Sequence, residues 1–290
     1  MSFKESFNRA LVRTTGYQLQ RPMTKRKPAR KTKPPERLVE QPTFILSTVR
    51  SGSTLLRVLL DSHSQIYSPH EIHLREMRVR VREGYPRKSL REMGLDPDRL
   101  RYLLWDRVLH RELQRSGKKL IVNKTPNDVF IVDKIATCWP DARFIFLLRH
   151  PAAIARSRAE ARKQKDRPEQ NANRVLRYAD ALERARQSYP GLTVRYEDLA
   201  ADPATVTKEI CAFLGVPWEE SMLDYGQFQH GRFKPGLGDW TENIRTGQVQ
   251  PPKPLPEPDE TPAQLVDVAK AWGYIPATYE RAPKPPVETA

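Results

Sequence analysis

The sequence predicts an α/β protein in which a central parallel sheet is covered on both faces by helices. Two observations carry that prediction. Four short strand-like runs, at 43–48, 119–123, 142–148 and 192–196, have the length of strands in a parallel sheet covered on both faces, and helical patterns separate them. Two of the runs end in tight turns that pass directly into helix-like patterns, the layout from which anion sites are built at helix N-termini.

Residues 1–42 read as a leader. They hold 11 Lys or Arg against 3 Asp or Glu, a large share of the formal net charge of +15, and the proline-rich stretch 21–35 should stay extended or disordered. Phe3, Phe7, Leu11 and Val12 have helix-like spacing and suit weak contact with an anionic surface, or docking on the core. The tail lacks interleaved aromatics and a reading helix, so no specific nucleic-acid partner is expected.

The first strand, Phe44 to Leu46, runs through Ser47-Thr48-Val49-Arg50-Ser51-Gly52-Ser53-Thr54 into a helix with Leu55, Leu56, Leu59 and Leu60 at helical spacing. Gly52 lets the backbone approach an anion, and the hydroxyls of Ser51, Ser53 and Thr54 stand beside it. The loop departs from the nucleoside-triphosphatase pattern GxxxxGK[ST]. Aligned on Gly52 and Thr54, the leading glycine becomes Ser47 and the lysine becomes Ser53, while positive charge comes from Arg50. Such a loop suits a ligand with fewer phosphates at this point and no essential metal. The fold class is therefore a P-loop-like three-layer α/β arrangement. Taken alone, the same residues also fit an ordinary strand-to-helix turn.

The run Ala142 to Leu148 ends at Arg149-His150-Pro151, with Pro151 suited to the first turn of the following helix. Arg149 and Ser157, about two turns into that helix, can converge on one anion. Leu120 to Val122 leads to Asn123-Lys124-Thr125-Pro126, which sets Lys124 at a strand end where α/β proteins gather active groups. The helical inserts 74–118 and 158–189 are expected to line an acceptor cleft. The first shows an apolar face of Leu100, Leu103, Leu104, Val108 and Leu109, and the second runs through Arg156, Arg158, Arg162, Lys163, Lys165 and Arg167 to Ala179, Leu182 and Ala185. Thr241 to Pro262 reads as a mobile flap, a last helix follows to Trp272, and the domain is bounded at 43–275 with a loose tail over 276–290.

Cys138 and Cys211 lie in apolar surroundings without metal or disulfide spacing and read as reduced core thiols, which fits a cytoplasmic protein. His63, His70, His110, His150 and His230 show no metal-ligand spacing either, so no metal is expected. No apolar run reaches the length of a membrane span, and the N-terminus has no secretory pattern.

Together these motifs resemble the sulfotransferases that use 3′-phosphoadenosine 5′-phosphosulfate (PAPS), and most closely the bacterial type. Arg50-Ser51-Gly52-Ser53-Thr54 matches that family's loop for the 5′-phosphosulfate, and Arg149 with Ser157 matches its pair for the 3′-phosphate. The likeness continues through Val194-Arg195-Tyr196-Glu197-Asp198-Leu199 and Gly238-Asp239-Trp240, over roughly residues 42–273. Before the latter the family often has Arg-Lys-Gly; here Phe233, Lys234 and Pro235 stand there and only the lysine survives, with Arg232 and Gly236 close by. The resemblance implies cofactor contacts from Arg50, Ser51, Gly52, Ser53, Thr54, Arg149, Ser157 and Lys234. Tyr196 is either an adenine contact or a core aromatic.

Many relatives have Lys-Thr-His where this chain has Lys124-Thr125-Pro126, so that histidine base is missing. The resemblance supplies Glu71 in its place; His73, two residues on and on the same face in an extended segment, is the competing base, and Lys124 would stabilise charge on the leaving oxygen. Glu71 is also compatible with a helix cap or a surface ion pair. The expected reaction is sulfuryl transfer to a hydroxyl or amine of a small molecule, glycan or carrier-bound acceptor, with adenosine 3′,5′-bisphosphate released. An ATP-dependent small-molecule kinase and a non-catalytic anion-binding protein are the competing classes.

Overall fold

The computed structural model describes residues 37–161, 167–230 and 242–280. Expectations for the leader before Arg37, for Arg162, Lys163 and Lys165, for Lys234 with its neighbours and for the end of the tail lie outside the described residues. Five parallel strands form one sheet in the order β2-β3-β1-β4-β5. They are β1 (Thr43–Ser47), β2 (Ile66–Tyr67), β3 (Leu120–Lys124), β4 (Arg143–Leu148) and β5 (Leu192–Arg195). Four of these fall on the expected runs. β2 is two residues long, too short to show a pattern of its own, and it exists because Ile66 pairs with Leu120.

Alternation along the strands builds two cores. Phe44, Leu46, Ile121, Phe144, Phe146 and Leu148 face one layer, whereas Ile45, Val122, Ile145, Leu147 and Val194 face the other. Helix α1 (Ser53–Asp61) packs on the second face, and on the first lie α3 (Pro97–Ser116) and α4 (Val132–Cys138). The short α2 (Tyr85–Glu92) precedes α3 and buries no residue. After β4 come α5 (Pro151–Ala161) and α6 (Pro168–Ser188), which join the first layer through Ile154, Val175, Ala179 and Leu182. After β5, α7 (Tyr196–Ala201) and α8 (Pro203–Leu214) cover the second face. The last two α-helices among the described residues are α9 (Glu242–Arg245) and α10 (Val266–Ala271).

The buried face of α3 keeps Leu109 of the expected leucine face and otherwise differs from it. Tyr102, Trp105, Asp106 and Leu109 are buried, while Leu103 and Leu104 are exposed. The two aromatics bury more apolar area than the leucines would, and Asp106 is admitted because its carboxylate is satisfied. It accepts from the Leu38 and Val39 N–H groups at 2.8 and 3.2 Å and from Trp139 Nε1 at 3.0 Å. Val39 is thereby drawn into the first core layer, ahead of β1.

Because all strands are parallel, Ser47, Lys124, Leu148 and Arg195 end at the same edge of the sheet. The chain leaves β1 toward β2 and leaves β4 toward β5, so the crevice between the ends of β1 and β4 is the switch point where α/β proteins bind ligands.

Candidate active site

At that switch point the β1–α1 loop is held open by its backbone. Arg50 and Gly52 both have positive φ, 72° and 84°, and Gly52 precedes the first residue of α1. A side chain at Gly52 would set Cβ 2.1 Å from Tyr196 Cδ2, so only glycine permits the ring to close on the loop. Ser51 is placed differently from the expectation of a ligand-facing hydroxyl: it is fully buried, and its Oγ donates to the Thr48 carbonyl at 2.8 Å, pinning the loop.

Two cavities open from this loop. The larger, of about 720 Å³, is lined on one side by Arg50, Gly52, Arg149, Arg156, Ser157 and Tyr196. Arg50 Nε donates to Ser157 Oγ at 3.2 Å, and an Arg149 guanidinium N–H donates to the Arg50 carbonyl at 2.8 Å. The Arg149 guanidinium also lies 4.4 Å from the Tyr196 ring centroid. Burial lowers the Arg149 pKa, Tyr196 and Glu197 oppose that shift, and the neighbouring Arg50 and Arg156 charges add to it. Arg149 Nε is buried without a hydrogen-bond partner. Three guanidiniums line this wall against one carboxylate, Glu160, and Arg149 has an unused donor, so the wall carries net positive charge.

Glu197 holds the strand-end turn in place, a role the sequence reading did not assign. Its carboxylate accepts from the His150 N–H at 3.0 Å and from the Tyr274 hydroxyl at 2.6 Å. His150 itself is buried, its Nδ1 accepts from Ala152 N–H, and burial pulls its pKa down to about 4, so it is neutral here. The far wall of the cavity comes from Tyr225, Ile244, Arg245, Gln248, Gln250, Pro251 and Lys253. Apart from Tyr225, these residues belong to the expected flap of Thr241 to Pro262, but Arg245 and Lys253 were not singled out. Its root is anchored, with the Tyr225 hydroxyl donating to the Gln248 carbonyl at 2.9 Å and Gly226 N–H to the Gly247 carbonyl at 3.1 Å.

The smaller cavity, of about 250 Å³, is lined by Arg50, Gly52, Ser53, Thr54, Glu71 and Lys124, and by Pro126, Asn127 and Tyr178 beyond them. Lys124 is 1% exposed, and its Nζ donates to Glu71 Oε1 at 2.5 Å. The other carboxylate oxygen, Oε2, lies 3.5 Å from His73 Nε2. His73 sits at the cavity's edge, outside its lining, with φ 54° and its N–H 3.4 Å from Thr125 Oγ1. The structure thus brings Arg50, Gly52, Ser53, Thr54, Glu71 and Lys124 together in one cavity, and Arg149, Ser157 and Tyr196 in the other. Asn127 and Tyr178 went unnoticed in the sequence, and only the hydroxyl of Tyr178 donating to Asn127 shows that they belong together.

A family model described as the sulfotransferase family matches residues 42–220, more than half of the chain. The chain belongs to the sulfotransferase family. The chain is 33% identical to the nodulation protein NoeE of Sinorhizobium fredii over 125 residues, 39% of this chain and 30% of that protein. It is 25% identical to protein-tyrosine sulfotransferase 1 of Danio rerio over 202 residues, 63% of this chain and 55% of that protein. The chain therefore spans about a third to a half of the length of these curated relatives. Its fold is similar to the sulfotransferase domain from the curacin biosynthetic pathway, at TM-score 0.58 and 23% identity, covering 84% of this chain and 99% of that one. It also matches the sulfotransferase domain from the Synechococcus PCC 7002 olefin synthase, at TM-score 0.55 and 25% identity, covering 87% and 94%. Among the described residues no helix is long and apolar enough to cross a membrane, and no group of three His, Cys, Asp or Glu side chains is arranged to hold a metal ion.

Proposed function

We propose that this sulfotransferase moves a sulfuryl group from PAPS to a hydroxyl or amine of its acceptor and releases adenosine 3′,5′-bisphosphate. The observation that carries the reading is that Arg50 and Gly52 line both cavities, so one elongated anion can lie with its nucleotide end in the larger and its transferable group in the smaller. The unused Arg149 Nε and the three clustered guanidiniums fit a phosphate there. Ser157 and Arg149 would hold the 3′-phosphate, Tyr196 would meet the adenine, and Arg50, Ser53 and Thr54 would hold the phosphosulfate. Arg245 and Lys253 supply further positive charge from the far wall.

When bound, the donor supplies a sulfuryl group on a good leaving phosphate. The chain's own residues position the acceptor and manage charge. Glu71 is the base, because it lines the reaction cavity and His73 does not. A carboxylate engaged by an ammonium is a poor proton acceptor, and Lys124 holds Glu71 Oε1. Movement of the Lys124 ammonium toward the leaving oxygen would free Oε1 for the acceptor's proton while stabilising the charge that builds on the phosphate. His73 would steady Oε2. The acceptor oxygen or nitrogen bonds to sulfur as the bridging S–O bond breaks, and its electron pair stays on the phosphate.

We place the reaction in the cytoplasm, with which the two free cysteines agree. Burial pushes Cys138 up to about 12 and Cys211 up to about 11, so both are unreactive thiols.

The test is incubation with sulfur-labelled PAPS and a metabolite extract in the presence of a chelator. Label should move to product, and Lys124→Ala and Glu71→Gln should each lower the rate at least about a hundredfold, on the order of 3 kcal/mol. Transfer that survives both substitutions, or transfer of phosphate from ATP that needs magnesium, would contradict the proposal.

A further inference from the structure

The reaction cavity is closed on one side by Tyr178 of α6, and behind that ring lies a cationic cluster that the transfer chemistry does not use. Phe130 meets Tyr178 edge-on, with ring centroids 4.7 Å apart. The Arg75 guanidinium stands 4.7 Å from the Phe130 centroid, and that of Arg177 stands 5.1 Å from it and 5.4 Å from the Tyr178 centroid. Cation–π contact orients a guanidinium but leaves its charge in place, and two such charges on one ring repel. Among the described residues neither arginine forms an ion pair with a carboxylate. Arg177 Nε is moreover buried with no hydrogen-bond partner.

The carboxyl of Asp128, which interacts with Arg75, does not cancel its charge. Asp128 is fully buried and accepts from Asn123 Nδ2 at 2.8 Å, and burial pushes its pKa up to about 8, so it is mostly protonated at neutral pH. Arg75 follows the Glu71 segment, Phe130 follows β3, and Arg177 lies on α6, so three separate parts of the chain converge here without an internal counter-ion. We propose that Arg75 and Arg177 form a subsite for an anionic group on the acceptor, whose reacting hydroxyl or amine then lies at Glu71. The acceptor would be a bifunctional molecule carrying a carboxylate or phosphate beyond an apolar or aromatic spacer that packs on Tyr178. This deepens the sulfuryl-transfer reading and rests on it for which end reacts, but the subsite itself can be measured without turnover.

The experiment is calorimetric titration of the full chain with phenyl phosphate, phenylacetate and phenol, with the donor cavity first saturated by adenosine 3′,5′-bisphosphate. At least one of the two anions should bind saturably and phenol should not, and the tighter anion identifies the acceptor's charged group. Arg75→Gln and Arg177→Gln should each weaken that binding tenfold or more, and Arg177→Lys by less, while all three variants still bind the bisphosphate. No saturable binding of either anion, or binding unaltered in Arg177→Lys and both Gln variants, would overturn the subsite. Loss of bisphosphate binding with Arg177-dependent anion binding intact would instead overturn the donor reading and leave the subsite standing.

Discussion

The two cavities that meet at Arg50 and Gly52 are built by different means. On its sheet side the larger takes its charge from Arg50, Arg149 and Arg156, past strand ends and on the helix after β4, with Arg245 and Lys253 facing them from the far wall. The smaller takes Lys124 from a strand end too, but Glu71 comes from the loop after β2, and Asn127 and Tyr178 come from a turn and a distant helix. On the proposed reading, a donor would be gripped by groups at the ends of neighbouring strands, and the acceptor would be met by a loop, a turn and one residue of the second insert, Tyr178. Binding and chemistry should therefore separate under mutation, except at the residues common to both cavities.

Gly52→Ala should break that separation most severely. Its Cβ would collide with Tyr196 and the φ of 84° would be strained, so we expect loss of bisphosphate binding and of transfer together, with about 2–3 kcal/mol lost from folding stability. Thermal unfolding and calorimetry on the same sample check both. A stable variant with normal bisphosphate affinity would show that the ring does not need to close on the loop.

Ser157→Ala sharpens the comparison with the smallest expected effect. It removes one hydrogen bond to Arg50 Nε, so bisphosphate affinity should fall about fivefold, near 1 kcal/mol, with the rate of transfer at saturating donor unchanged. A drop in the saturated rate larger than the drop in affinity would mean that Ser157 acts through Arg50 on the chemical step.

The same contrast explains what could be read from the sequence. β1, β3 and β4 were legible because strands inside a covered sheet are mostly apolar, β5 was legible from its length and place after a helix, and Arg50, Lys124 and Arg149 were legible because they stand at or just past the ends of such strands. β2 was not, since two residues carry no period and its pairing with β3 is a tertiary fact. The face of α3 was misread because an apolar pattern cannot anticipate Asp106, buried through donors from Leu38, Val39 and Trp139. Ser51 looked like its neighbours Ser53 and Thr54 until the turn directed its hydroxyl to Thr48. Tyr178 and Arg177 were invisible among many exposed polar helix residues, because what marks them is contact with Asn127 and Phe130, some fifty residues earlier in the chain.

The central claim is that one donor molecule spans both cavities, held at one end and reacted at the other. Calorimetric titration of the wild-type chain, Arg149→Ala and Lys124→Ala with adenosine 3′,5′-bisphosphate tests it most directly. The account predicts tight binding to wild type, weakening by at least about a hundredfold in Arg149→Ala and by less than about threefold in Lys124→Ala. No binding to the wild-type chain, or equal binding to wild type and Arg149→Ala, would contradict it.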